Sequence, residues 1–276
     1  VTSRPPHPEP VRDAAPAPAA AVLGEPDAPR HAVVLAPVMP RWDHGAFFHQ
    51  VAEPLLASGH RITIYDTLSL LCEGDDLKAL VDRWAAHLAS GTDDPDLLAG
   101  NALGGAVVQA LLTHEWTHRS KVLLLSGPTV ADDELNTELE RIAAAVGTHG
   151  LSSALHLLEE VVSGPAQKPG SVPRQRPQPA AAPGPAPDEA AAGRRLSTGL
   201  RLLHDADARE PVRNFPGPLL HLYGEQSLLV QAKHLATGPR PRHHLVGIPQ
   251  AGMRPHADQP ALTRDAVARF LGAEES

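Results

Sequence analysis

The stretch Gly100-Asn101-Ala102-Leu103-Gly104-Gly105 constrains this chain more than any other part of it. Before it stands the apolar run Asp96-Leu-Leu-Ala-Gly100. After it, residues 106–112 carry apolar side chains at a spacing that predicts a helix. A buried strand must therefore turn into a helix within a few residues. The flanking glycines let strand and helix backbones approach where a β-carbon would collide. Such a turn belongs to a parallel α/β sheet, whose crossovers are helices.

The rest of the chain agrees. His31-Ala-Val-Val-Leu-Ala36, Arg61-Ile-Thr-Ile-Tyr-Asp66, Lys121-Val-Leu-Leu-Leu-Ser126, Pro218-Leu-Leu-His-Leu-Tyr223 and Arg242-His-His-Leu-Val-Gly247 read as strands. Residues 77–88, 134–162 and 261–271 have helical periodicity, and strands and helices alternate as a doubly covered sheet requires. Apolar residues make up 42% of the chain but aromatics only 3%, so the core must be built from Leu, Val and Ala. Residues 1–30 and 164–193 are rich in Pro and Ala, lack a period, and are expected to be disordered. The organisation expected is a tail over 1–30, a core over 31–133 and 199–276, and between them a helical cap over 134–198, broken by the Pro-rich insert.

Charge and cysteine usage narrow the partners. The net charge is −8, without the basic footprint of a nucleic-acid binder. Cys72 is the single cysteine, so an internal disulfide is impossible and a reducing compartment is expected. The first thirty residues lack the basic and apolar regions of a signal peptide, and no apolar run approaches the ~18 residues of a membrane span. The expectation is a cytoplasmic protein with no membrane partner.

The turn at 100–105 matches the nucleophile elbow G-x-S-x-G except that Ala102 holds the serine position. A phosphate-binding turn is the alternative for a strand–glycine–helix junction, but the Lys-Ser/Thr of a P-loop and the dinucleotide spacing are missing. On these residues the chain resembles the α/β-hydrolase family over most of 31–276. Gly199-Leu-Arg-Leu-Leu-His-Asp-Ala-Asp-Ala-Arg-Glu-Pro211 and Pro218-Leu-Leu-His-Leu-Tyr-Gly224 resemble most the carboxylesterases that cleave pimeloyl-carrier-protein methyl esters. The resemblance implies an eight-stranded, mostly parallel sheet with helices on both faces and a reduced helical cap. It implies no cofactor, and it places the remaining triad positions. The acid pattern Tyr-Gly-x-x-Asp-x-Leu-Val falls on Tyr223–Val230 with Ser227 in the acid position, while Glu225 lies two residues early. The pattern Gly-His-x-Pro falls on Gly252–Pro255 with Met253 in the histidine slot, and His256 follows three residues later. The first strand, expected to end in His-Gly, ends Leu35-Ala36-Pro37. Pro37 has no N–H, so Val38 is the candidate oxyanion donor beside Leu103.

A serine mechanism needs a nucleophile, a base and an orienting acid. With Ala102, Ser227 and Met253 in those positions the resemblance implies a pseudoenzyme. Val38, Met39, Ala102, Leu103 and Met253 are the candidate ligand-binding residues, for a small apolar or acyl ligand or an acyl carrier protein. A non-hydrolytic cyclase or lyase of secondary metabolism stays open, with His256 or His44 as its acid/base group. So does a degenerate esterase or acyltransferase relative. Ser126 at a strand end reads as structural. Cys72, with Glu73, Asp75 and Asp76 nearby, reads as an unreactive thiol. The sixteen histidines have no metal-ligand spacing, so no metal is expected.

Overall fold

The computed structural model describes residues 17–91, 94–163 and 189–272. Among these, seven strands form one sheet in the order β1-β3-β2-β4-β5-β6-β7. They are β1 (Ala20–Leu23), β2 (Arg30–Leu35), β3 (His60–Tyr65), β4 (Leu97–Asn101), β5 (Lys121–Leu125), β6 (Leu219–Gly224) and β7 (His243–Ile248). All neighbours pair in parallel except β1, which runs antiparallel along β3.

Alternation within the strands sorts the core into two layers. Val33, Leu35, Leu98, Val122 and Leu124 face one apolar cluster, and Ala32, Val34, Leu97, Ala99, Leu123 and Leu125 face the other. The second face is covered by α1 (His49–Ala57) and, at the chain's far end, α8 (Pro260–Gly272), through Val51, Leu55, Val267 and Phe270. The first face is covered by α2 (Leu77–Ala89) and α3 (Leu103–Leu111), with Trp84, Leu103, Val107 and Leu111 buried. Trp84 satisfies its indole by donating to the Thr67 carbonyl at 2.9 Å. The same cluster continues into α4 (Asp133–Val162), α5 (Glu189–Arg201) and α6 (Arg209–Asn214), and the short α7 (Pro255–Asp258) precedes α8.

Helices α4 and α5 form the cap. Asp132 starts α4 by accepting the Leu135 N–H at 2.9 Å. The helix breaks at Gly150, with φ 84° and ψ 170°, so the continuous helix expected over 134–162 is two segments. Gly193 lets α5 approach α4, since a β-carbon there would lie 2.7 Å from Val146 Cγ1.

Three further expectations are corrected. The tail does not extend to residue 30, because residues 20–23 form β1. Its pairing is by backbone on an edge and leaves Val22 58% exposed, so no apolar pattern announces it. The Pro-rich insert does not reach residue 193, because residues from Glu189 onward form α5. Seven strands, not eight, are present among the described residues. The remainder of the tail and insert, 1–16 and 164–188, lies outside the described residues.

Candidate functional site

The elbow is present in the backbone. Ala102 stands between β4 and α3 with φ 49° and ψ −112°, a conformation that L-residues rarely adopt and that costs about 1–3 kcal/mol. Three glycines make it possible. A β-carbon on Gly104 would lie 2.0 Å from the Leu35 carbonyl oxygen, one on Gly100 would lie 2.4 Å from the Gly104 oxygen, and one on Gly105 would lie 2.9 Å from Gly127 Cα. The Ala102 N–H donates to the Leu125 carbonyl at 3.0 Å, which ties the turn to β5. The side chain held there is a methyl group, 9% exposed.

Ala102, Leu103 and Met253 lie in one buried apolar cluster together with Leu139, Leu196, Leu229 and Val230. Met253 follows β7 and is buried, and its N–H donates to the Val162 carbonyl of α4 at 2.9 Å. Ser227, in the turn after β6, is buried, and its Oγ has no hydrogen-bond partner among the described residues. Glu225 is exposed and lies against Gly247 of β7, directed to the sheet edge. Val38 and Met39 are half-buried under α5. A β-carbon on Gly199 would meet Val38 Cγ1 at 2.7 Å, and Arg195 donates to the Met39 carbonyl at 2.8 Å. Arg195 also pairs with the buried Asp66.

The cap is thus bonded to the core on both sides of the elbow. Arg195 holds one side; the Met253 N–H and the Arg254–Glu159 pair, at 2.5 Å, hold the other. Five clefts of about 380–680 Å³ on the described surface have linings that include none of Val38, Met39, Ala102, Leu103, Ser227 and Met253.

The two candidate acid/base histidines do not share a site. His44 is exposed on the loop after β2, with φ 56°. His256 is 4% exposed on α7, and its Nδ1 has no partner. Burial, then the positive charge of Arg254, lowers it to about 4, so it is neutral near pH 7. No hydrogen bond or ion pair joins it to a hydroxyl, thiol or carboxylate among the described residues. Ser126, at the end of β5, has φ 47° and a fully buried Oγ without a partner. Cys72 is exposed. Among the described residues, no three His, Cys, Asp or Glu are grouped to hold a metal ion. None of the described helices is long and apolar enough to cross a membrane.

Two further histidines carry no signal in the sequence. His234 is 1% exposed and lies 3.0 Å from Asp132 through Nε2, at the lip of a cleft of about 540 Å³. The Leu135 N–H first, then Lys233, holds the Asp132 carboxyl well below the usual carboxylate range. Although this resembles a catalytic pair, His234 Nδ1 already accepts the Gln231 N–H at 3.0 Å. Nε2 therefore carries the proton donated to Asp132, and no ring lone pair is left to act as a base. No Ser or Cys is among the described residues lining that cleft. The pair ties the β5–α4 loop to the loop after β6. His221, in the middle of β6, is fully buried with neither ring nitrogen in hydrogen-bond geometry. Burial lowers it to about 3, with the Gly127 backbone acting in the opposite direction.

Comparison with solved structures identifies the architecture. An α/β-hydrolase enzyme from a Medee basin deep-sea metagenome library superposes with a TM-score of 0.71 at 12% identity, covering 92% of this chain and 94% of that one. A hydrolase from Pseudomonas aeruginosa superposes at 0.68 with 19% identity, covering 92% and 93%. A bromoperoxidase from Bacillus anthracis superposes at 0.67 with 17% identity, covering 91% and 94%. No family model and no curated protein matches the chain. The chain has the α/β-hydrolase fold; at these identities the likeness extends to the fold alone.

Proposed function

We propose that this protein is a non-hydrolytic α/β-hydrolase-fold protein. In this reading it holds a small apolar or acyl ligand, free or delivered by a carrier protein, between the elbow and the cap without cleaving it. The observation that carries the reading is the methyl group of Ala102 at the strained turn where a nucleophile would stand. Without a nucleophile, the oxyanion donors and binding alone leave only about 10³–10⁴-fold over water, and the other triad members add little. Met253 and Ser227 agree with this, since neither a thioether nor a partnerless hydroxyl takes up a proton from a nucleophile near neutral pH. Ala102, Leu103 and Met253 lie in an apolar cluster, so a ligand admitted beside the elbow would meet apolar walls. With the cap bonded at Arg195 and Met253, entry requires α4 and α5 to lift, so binding should be slow and stabilising.

Native mass spectrometry of the purified protein and thermal unfolding with decanoyl- or hexadecanoyl-pantetheine test this. The expected result is one bound acyl compound per chain, released unaltered, with a concentration-dependent rise in Tm. Absence of binding by both compounds, or release of the free acid at a rate above buffer, overturns it.

A further inference from the structure

Strand β7 is the last of the sheet, and among the described residues only β6 pairs with it. Its outer edge therefore leaves backbone N–H and C=O groups without a ladder partner. Folded proteins blunt such an edge with Lys, Pro, a bulge or a covering helix. His243-His-Leu-Val-Gly-Ile248 contains no Lys, no acidic residue and no proline. Its register against β6 runs unbroken from His243 to Ile248, so no bulge turns the strand away. The edge is built to accept another strand.

Helix α8 borders the same margin. One cleft, of about 560 Å³, lies between Val246 and Ile248 on the strand and Leu262 and Asp265 on the helix. A second, of about 380 Å³, lies between His244 and Phe270. Val246, Ala266 and Arg269 line both, so the middle of β7 stands beside the middle of α8. Leu245 is 40% and Leu262 is 43% exposed. They bring apolar surface to a margin where backbone groups already lack partners.

The charges on α8 select the occupant. Asp265 and Arg269 are both exposed, one helical turn apart. Arg269 donates to the Asp265 backbone carbonyl at 3.3 Å, and neither side chain forms an ion pair among the described residues. A two-fold axis through the middle of β7 sets the strand antiparallel to its counterpart, with Val246 opposite Val246. The same axis sets α8 antiparallel to its counterpart about Val267. Asp265 of each copy then faces Arg269 of the other, and two ion pairs close. An unrelated strand could pair with the edge but would not bring this matching charge pattern.

We infer that β7 and α8 form a two-fold interface between two copies of this chain, which joins their sheets into one. The inference does not depend on the reading of the elbow. One strand and one helix per copy are small beside the ~800 Å² per partner of a standard interface, so the dimer dissociates in the micromolar range.

Sedimentation velocity of the full chain, from low to high micromolar concentration, tests this. The expected result is a reversible monomer–dimer equilibrium. D265R and R269D should each weaken it about tenfold or more, because each sets like charges face to face. An equimolar mixture of the two variants should dimerise again, and so should D265R/R269D, since both restore opposite charges across the axis. K78E, on α2, is the charge control and should leave the equilibrium unchanged. Circular dichroism melting confirms that the variants are folded, and L262E replaces a single reversal that is not. A chain that stays monomeric at high micromolar concentration overturns the inference and leaves the edge to a partner other than itself. A dimer indifferent to both reversals, or folded single variants whose mixture stays monomeric, overturns it as well.

Discussion

Substituting Gly104→Ala places a methyl group where the elbow has no space for one. The added β-carbon would sit 2.0 Å from the Leu35 oxygen, 2.4 Å from the Leu35 carbonyl carbon and 2.7 Å from the Ala36 oxygen. An ordinary carbon–oxygen approach is about 3.3 Å, so α3 and β2 must separate by on the order of 1 Å. Side chains cannot yield in their place, because every atom met is backbone. β2 cannot retreat either, being hydrogen-bonded to β3 on one side and β4 on the other. The separation loosens Leu103, Val107 and Leu111, which are fully buried on α3. Ordinary overpacking costs about 1–3 kcal/mol; a backbone collision at the sheet centre belongs to the rarer class above about 4 kcal/mol. Gly147→Ala is the control, since a β-carbon there meets nothing within 4 Å, and it should stabilise α4 by about 0.5–1 kcal/mol. Urea unfolding followed by far-ultraviolet circular dichroism measures both. A Gly104→Ala protein within about 1 kcal/mol of the parent, with unchanged denaturant dependence, would refute the close strand–helix approach on which the elbow rests.

Acidification should destabilise the fold through its buried histidines. His221 is lowered to about 3 and His256 to about 4, while unfolded histidine titrates near 6.5. Their stabilisation is complete above about pH 6.5 and is lost as pH falls toward 4 and then 3, at up to ~1.4 kcal/mol per pH unit for each site. His221→Leu should flatten the fall of Tm between pH 6.5 and 4, since the buried ring that resists protonation is gone; an unchanged slope would contradict this. Arg195→Met strands Asp66, whose side chain is 6% exposed, and should cost about 2–3 kcal/mol in urea unfolding, less than a fully buried pair because Arg195 is 24% exposed. Faster amide exchange in α5 should accompany it, and unaltered exchange would show that the cap is held by other contacts.

The strands of the core were legible because runs such as Val33–Leu35 and Val122–Leu125 have one role each, filling a doubly covered sheet. The elbow was legible because Gly100, Gly104 and Gly105 are demanded by backbone approach, whatever the side chain between them. β1 was hidden because an edge strand of four residues is held by backbone pairing, which composition does not record. The start of α5 was hidden by the Ala-rich sequence it shares with the insert before it. The His234–Asp132 and Arg195–Asp66 pairs join residues 102 and 129 positions apart, and only the folded topology brings such partners together.

Intact-mass measurement after treatment with a fluorophosphonate probe tests the central claim most directly. A protein whose elbow ends in a methyl group should keep its mass and hydrolyse p-nitrophenyl acyl esters no faster than its buffer allows after correction for exposed histidines. Stoichiometric labelling, mapped by peptide sequencing to Ser126, Ser227 or any other hydroxyl, would contradict it.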